Sequence, residues 1–368
     1  MIPAFLVCAV LSAADGGATV ADAGHPDAGL AASADAGSVA GDGGVAATWR
    51  LSQKLGKGKP AREELIGELM KKGGGVGETE LTRAEAEAII DDPRAEAVYG
   101  DKTISIVAPS MLTRQRQGHL DLMAKFLQPE RVEAGLKFRD EKKDVLEATE
   151  KKTGVDREVI IGILMWESKL GTITGDWVAF NALASQAYFI DEANAEALRS
   201  TDEKALLSVA APKKKKGEKL TDEEKAKLEA AREELQKKQA ARVESIRARA
   251  KKNLLSLIRQ CKTRGIDVFT MKGSWAGALG FPQFMPASLR WAEDGNGDGA
   301  IDLFVMDDAI ASVGKYLQAA GFKKSARDAV YDYNHEAAYV DGVLAFAAAL
   351  KGGLDAGVGA TAVGAPSK

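Results

Sequence analysis

Two stretches of this chain carry residue types that could do chemistry. The first is Val159 to Gly171, Val-Ile-Ile-Gly-Ile-Leu-Met-Trp-Glu-Ser-Lys-Leu-Gly, where a nearly unbroken apolar run ends with one carboxylate, Glu167. A run of this kind with Gly171 as its stop signal predicts a core helix that is apolar on all sides. Glu167 falls in its last turn. There a carboxylate meets the negative end of the helix dipole and low-dielectric neighbours, and both favour the protonated acid. An acid kept neutral can donate a proton to a leaving group. The competing expectation is a Glu167 turned outward to water, because ionisable side chains are rarely buried unpaired.

The second stretch runs from Lys272 to Asp308. Lys-Gly-Ser-Trp-Ala-Gly-Ala-Leu-Gly-Phe-Pro-Gln-Phe-Met-Pro-Ala-Ser, from Lys272 to Ser288, has glycines set between bulky residues, which implies backbone packed tightly against something. It is neither a phosphate loop nor a hydrolase elbow, since the Walker spacing and Gly-x-Ser-x-Gly are both absent. Next, Asp294-Gly-Asn296-Gly-Asp298-Gly299-Ala300-Ile301-Asp302 follows the opening positions of an EF-hand loop, with Gly299 at the sharp turn and Ala300 as a carbonyl donor. The twelfth position is Val305 where a bidentate Glu is expected, so a calcium site needs its last carboxylate from Asp307 or Asp308. A plain Asp/Asn/Gly turn with no ion is the alternative. With only His25, His119 and His335 in the chain, a Ser or Cys triad and a His-based zinc site both lack partners.

The elements that must position these groups are helical. Across 368 residues, helix formers dominate, aromatic residues make up 6%, and no long run alternates apolar with polar, so the fold is expected to be mainly α. Leu65-Ile66-Leu69-Met70, a Gly-rich turn at 73–77, and Leu81 with 84–90 predict a short helical hairpin whose second helix opens on a Thr82/Glu85 capping box. Residues 104–112 read as an extended connector. Residues 116–152 read as two helices with stripes Leu120-Met123-Phe126-Leu127 and Val132-Leu136-Phe138, and Trp177 to Ile190 as a buried helix. Residues 193–246 read as a solvated, charged helical insertion, with a capping box at Thr221/Glu224 and Leu228 and Leu235 seven apart. Tyr316, Tyr331, Tyr333 and Tyr339 cluster late in the chain. In a domain poor in aromatic residues they suggest a groove that stacks sugar rings.

The flanks differ in character. Residues 1–14 look like the apolar core and cleavage site of a secretory signal without a basic start, and export is expected. Residues 15–48, almost all Ala, Gly, Asp, Ser and Val, read as a disordered tether. The catalytic region is placed at 49–350, with a flexible tail at 351–368. Cys8 lies in the leader and Cys261 has no partner, which excludes a disulfide framework. A formal net charge of −3 argues against a nucleic-acid binder, although the Lys213–Lys216 run could touch an anionic polymer.

Taken together, Trp-Glu-Ser-Lys-Leu-Gly around Glu167, the Lys272–Ser288 stretch, Asp-Gly-Asn-Gly-Asp-Gly-Ala-Ile-Asp-Leu and Tyr333-Asn334-His335 followed by Tyr339 resemble, in order and spacing, the lytic murein transglycosylases of the membrane-bound B type. The resemblance covers about residues 60–350, with the insertion outside it. It implies a lysozyme-like helical core with smaller flanking lobes. It also implies cleavage of the β-1,4 bond between N-acetylmuramic acid and N-acetylglucosamine without water as nucleophile, leaving 1,6-anhydromuramoyl ends. By the same matching Glu167 is the single catalytic acid. Ser274, Gln283, Tyr316, Tyr333 and Tyr339 fall on groove positions, and Asp294, Asn296, Asp298, Ala300 and Asp308 on the calcium loop. No cofactor is implied for the chemistry, and calcium would be structural. Phe281-Pro282 before Gln283 departs from the Tyr-Gly pair typical of the family.

Most glycosidases use two carboxylates, and only Glu167 stands out here. The alternatives are a water-using muramidase of the same fold, with Asp176 as a nearby second carboxylate, and a noncatalytic wall-binding protein. The expected partners are peptidoglycan glycan strands and a wall enzyme at the charged insertion. The chain is expected to be a monomer in the periplasm or cell envelope, with peripheral membrane contact or none.

Overall fold

A helix apolar on every side has to be sheathed by other helices. The computed structural model describes residues 49–75, 78–98, 107, 120–123, 125–200 and 221–352. In chain order its helices begin with α1 (Leu51–Leu55), α2 (Pro60–Leu69), α3 (Arg83–Ile90), α4 (Pro129–Glu141), α5 (Lys143–Thr153) and α6 (Arg157–Ser168). Strand β1 (Trp177–Val178), helices α7 (Ala179–Tyr188), α8 (Ile190–Ser200) and α9 (Asp222–Arg264), and strand β2 (Lys272–Gly273) follow. Helices α10 (Met306–Ala319), α11 (Ala326–Tyr333) and α12 (Ala337–Gly352) complete the order. The chain is mainly α, as expected.

Helix α6 is the axis of the core. Every residue from Glu158 to Ser168 is buried, and α4, α5, α10 and α12 pack around it. Phe126 meets Trp166 and Phe346 with ring centroids 4.7 and 4.9 Å apart, which ties the outer helices to the end of α6 that carries Glu167. Burying large rings in this way is the dominant favourable term for such a core. A second wall forms where α9 packs along α7 through Leu254, Leu257 and Ile258.

Several expectations change in detail. Helix α6 ends earlier than its Gly171 signal suggests. Lys169 and Leu170 both take positive φ, 47° and 55°, and the Leu170 N–H closes back on the Leu164 carbonyl at 3.0 Å, capping the exposed carbonyls of the last turn. The predicted helix from Trp177 to Ile190 begins only at Ala179. Trp177 and Val178 instead pair antiparallel with Gly273 and Lys272, and Phe189 breaks the helix before α8. The capping boxes at Thr82/Glu85 and Thr221/Glu224 both form, but Met70 is 45% exposed and Leu120 42%, outside the stripes assigned to them.

The insertion is helical but is not merely a solvated arm. Helix α9 runs unbroken past residue 246 to Arg264 and buries Leu228, Gln239, Val243 and Ile246. The Gln239 amide donates to Val107 and Asn194, and Arg247 pairs with Asp191, so α9 folds back on α8. Helix α12 reaches Gly352, two residues into the expected tail. The leader, the tether, most of the 104–112 connector, Lys213–Lys216 and residues 353–368 lie outside the described residues. Among the described residues no helix is long and apolar enough to cross a membrane.

Candidate active site

Glu167 is 2% exposed, so the outward-facing alternative is wrong. Its two carboxyl oxygens have no hydrogen-bond partner among the described residues. Burial pushes the carboxyl up to about 8, against an ordinary value of 4.5. The Tyr339 hydroxyl lies close enough to pull in the opposite direction, yet neither group completes a hydrogen bond of normal length with the other. Among the described residues no charged side chain offsets the shift of Glu167. Desolvation without a compensating cation or N–H donor keeps an acid protonated. Immediately after it, Ser168 fixes the turn: its Oγ donates to the Leu164 carbonyl and accepts from the Gly171 N–H, at 3.2 and 3.0 Å. Two consecutive non-glycine residues in the left-handed region, Lys169 and Leu170, are a local strain of the kind that clusters at functional sites.

The Lys272–Ser288 stretch folds into a tight double turn facing this helix end. Gly273 bridges to Leu279, and Leu279 to Phe284. Ser274 is buried, and its Oγ accepts the Ala278 N–H at 3.1 Å. Gly280 sits at φ 67°, where a Cβ would stand 2.4 Å from the Leu303 side chain, so only glycine fits. Gln283 also takes positive φ, 51°. Its amide donates to the Gly280 carbonyl at 2.8 Å, which leaves a buried Oε1 with no partner.

The tyrosines divide into two kinds. The Tyr333 hydroxyl donates to the Pro282 carbonyl at 2.6 Å, and that of Tyr316 to the Asp332 carbonyl at 3.0 Å. Their rings meet edge to face at 4.9 Å, with Phe284 and Trp291 alongside. These two therefore brace the Gln283 turn rather than form an open stacking face. Tyr339 is different. Its ring lies edge-on to Trp166 at 5.0 Å, and its buried hydroxyl lacks a hydrogen-bond partner. Burial raises the pKa of Tyr333 and Tyr339 well above 10.0, and the Glu167 charge adds to the effect in both. The structure thus gathers Glu167, Gln283, Tyr316, Tyr333 and Tyr339, with Ser274 on the same turn as Gln283. Buried Gln186 and Asn334 also carry partnerless oxygens. Nothing in their local sequence separates them from ordinary helix and cap residues. Asp176 is exposed. A cavity of about 260 Å³ lined by Ile89, Arg94, Cys261 and Phe269 shares no residue with this site. Burial pushes the Cys261 thiol up to about 12, which leaves it inert.

The Asp294–Asp308 loop leads into α10 and is closed by its own hydrogen bonds. Asp294 accepts the Gly297 and Gly299 N–H groups at 2.6 and 2.9 Å. Asp298 accepts from Ala300 at 2.7 Å and from the Asn296 amide at 2.9 Å. Buried Asp308 clamps both arms, through Gly295 at 2.8 Å and Asp302 at 2.7 Å. The donors are all oxygens, which suits calcium, and Asp308 rather than Asp307 faces the loop. In this arrangement, however, no three His, Cys, Asp or Glu side chains among the described residues are gathered closely enough to hold an ion.

The structure thus presents a helical core with an unpartnered buried acid beside a glycine-tight turn. The sequence profile of the family described as "Transglycosylase SLT domain" matches residues 78–337, and the chain belongs to that family. It is 29% identical over 207 residues to the membrane-bound lytic murein transglycosylase B of Escherichia coli K12. That match takes in 56% of this chain and 43% of the relative, so the chain spans under half the length of this curated relative. The fold is shared with SltB1 of Pseudomonas aeruginosa, a soluble lytic transglycosylase (TM-score 0.55, 18% identity, 80% of this chain and 100% of that one). It is shared too with E. coli Slt35 in complex with bulgecin A (TM-score 0.53, 19% identity, 79% and 93%). Slt35 has also been solved in complex with calcium (TM-score 0.52, 18% identity, 79% and 93%).

The raised pKa of Glu167 has a stability signature. The unfolded chain releases this proton near 4.5 and the folded one near 8, so between those values the folded state holds more protons and loses stability as pH rises. Urea unfolding across that range should show Glu167→Gln gaining on the wild type up to about pH 8 and levelling off above it. A difference independent of pH would contradict the assignment.

Proposed function

We propose that the protein is a peptidoglycan lytic transglycosylase that cleaves the β-1,4 bond between N-acetylmuramic acid and N-acetylglucosamine. The observation that carries this reading is a buried acid without a hydrogen-bond partner, Glu167, on which no second carboxylate among the described residues acts. A neutral Glu167 gives its proton to the glycosidic oxygen as the C1–O bond breaks. The resulting carboxylate then takes the proton from the muramoyl C6 hydroxyl, whose oxygen bonds to C1 and closes the 1,6-anhydro ring. One group serves twice, and no water is consumed. The substrate's own N-acetyl group can stabilise the intervening cation, which removes the need for a second carboxylate. Ser274, Gln283 and Tyr339 contact the sugars, while Tyr316 and Tyr333 hold the turn that presents Gln283. The carboxyl oxygens of Glu167 are covered in the free protein, so glycan entry has to open a path to them.

Asp294, Asn296, Asp298, Ala300 and Asp308 would hold calcium as a structural ion, supplying the oxygen donors that suit it. The protein works as an exported monomer in the periplasm or cell envelope on glycan strands, with α9 available to a wall-enzyme partner. Membership of the family supports the glycan-strand substrate, and the membrane-bound relative supports a place in the envelope.

Mass spectrometry of fragments released from purified sacculi should show anhydromuramoyl ends, and Glu167→Gln should lower release by about 10²- to 10⁴-fold. Reducing ends would indicate a water-using muramidase, and no fragments at all a wall-binding protein. Chelator should lower the melting temperature of the full chain, with recovery on added calcium; an unchanged melting curve would refute the ion.

A further inference from the structure

Trp177 has no evident structural task. It is 37% exposed, and only Met70, Leu120 and Tyr331 are comparably open large apolar side chains among the described residues. No described ring or cation stacks on its indole. Yet its backbone is held with unusual care. Trp177 stands directly opposite Gly273 in the β1–β2 pair. Opposed residues in an antiparallel pair share a face, and Gly273 has no side chain, so nothing crosses the strand to cover the indole.

The strap that delivers Trp177 joins both halves of the site. It starts one residue beyond Glu167, where the Ser168 carbonyl accepts the Ile173 N–H at 2.9 Å. It then passes Gly175, where a Cβ would lie 1.9 Å from the Gly273 carbonyl oxygen and 2.4 Å from the Ser274 nitrogen. The strap therefore lies flush on the peptide that carries Ser274. Strand pairing and this close approach fix Trp177 relative to Glu167 on one side and Ser274 on the other. An open indole set rigidly at the edge of such a site offers a flat apolar face to the C–H face of a sugar ring.

We infer that Trp177 is a stacking platform for one hexosamine ring of the glycan strand, next to the sugars bound at Ser274 and Glu167. The inference rests on the lytic transglycosylase reading. It deepens that reading by making strand binding, not acid strength, the task of this residue. The residue lies in the stretch where helix was expected, and its strand conformation is what turns it outward from the helical core.

The test uses the full chain carrying Glu167→Gln, which holds strands without cutting them, and peptide-free glycan strands as the probe. Tryptophan emission should shift as strands are added. In Glu167→Gln/Trp177→Phe most of that shift should vanish while binding persists, because Phe keeps a ring. In Glu167→Gln/Trp177→Ala the strands should bind roughly three- to tenfold more weakly, the worth of one aromatic contact. Equal affinity of the Ala variant and its parent would overturn the platform, even if the wild type still releases anhydro fragments from sacculi. If the parent captures no strand and the wild type releases nothing, the transglycosylase reading falls and the platform with it.

Discussion

The structure turns on one unpaired carboxyl buried at the end of an apolar helix. Removing a carboxylate from water without a partner is costly, and the protein avoids that cost by keeping Glu167 protonated. Everything around it serves that condition. Helices α4, α5, α10 and α12 exclude water from α6, and the Phe126, Trp166 and Phe346 rings close off the end that bears the acid. The tyrosine nearest the carboxyl supplies a hydroxyl without completing a hydrogen bond that would favour the charge.

Placing a proton donor is only half of the arrangement. On the proposed function a sugar has to be held against it, a task suited to a turn with little freedom of its own. Gly280 and Gln283 at positive φ, the Leu279–Phe284 bridge, and the Tyr333 hydroxyl on the Pro282 carbonyl together fix the direction in which Gln283 points. The partnerless oxygens of Gln283 and Tyr339 are unsatisfied in the free protein. Buried polar atoms left without partners are expensive, and a glycan with many hydroxyls is the sort of ligand that would satisfy them.

Much of this was legible in the residues because it is local. The apolar run around Glu167 announces burial on all sides, and burial is what gives the acid its character. The capping boxes at Thr82 and Thr221 are short-range patterns, and both form. What could not be read is nonlocal. Trp177 and Val178 look like helix until Lys272 and Gly273, far along the chain, offer them a strand. The Tyr316 and Tyr333 hydroxyls meet the Asp332 and Pro282 carbonyls, partners that the spacing of the tyrosines does not reveal. The charged stretch before Arg264 reads as solvated, whereas its buried strip only becomes apparent once α8 lies against it. The Asp294 loop shows its oxygen donors in sequence, but not that its own N–H groups hold them.

The protonation state of Glu167 can be observed directly. Carbon-detected NMR of the side-chain carboxyl, assigned by its loss in Glu167→Gln, follows that one group through a pH titration of the free protein. The midpoint should fall near 8; a midpoint at the ordinary 4.5 would mean that the carboxyl is ionised at neutral pH and has no proton to donate.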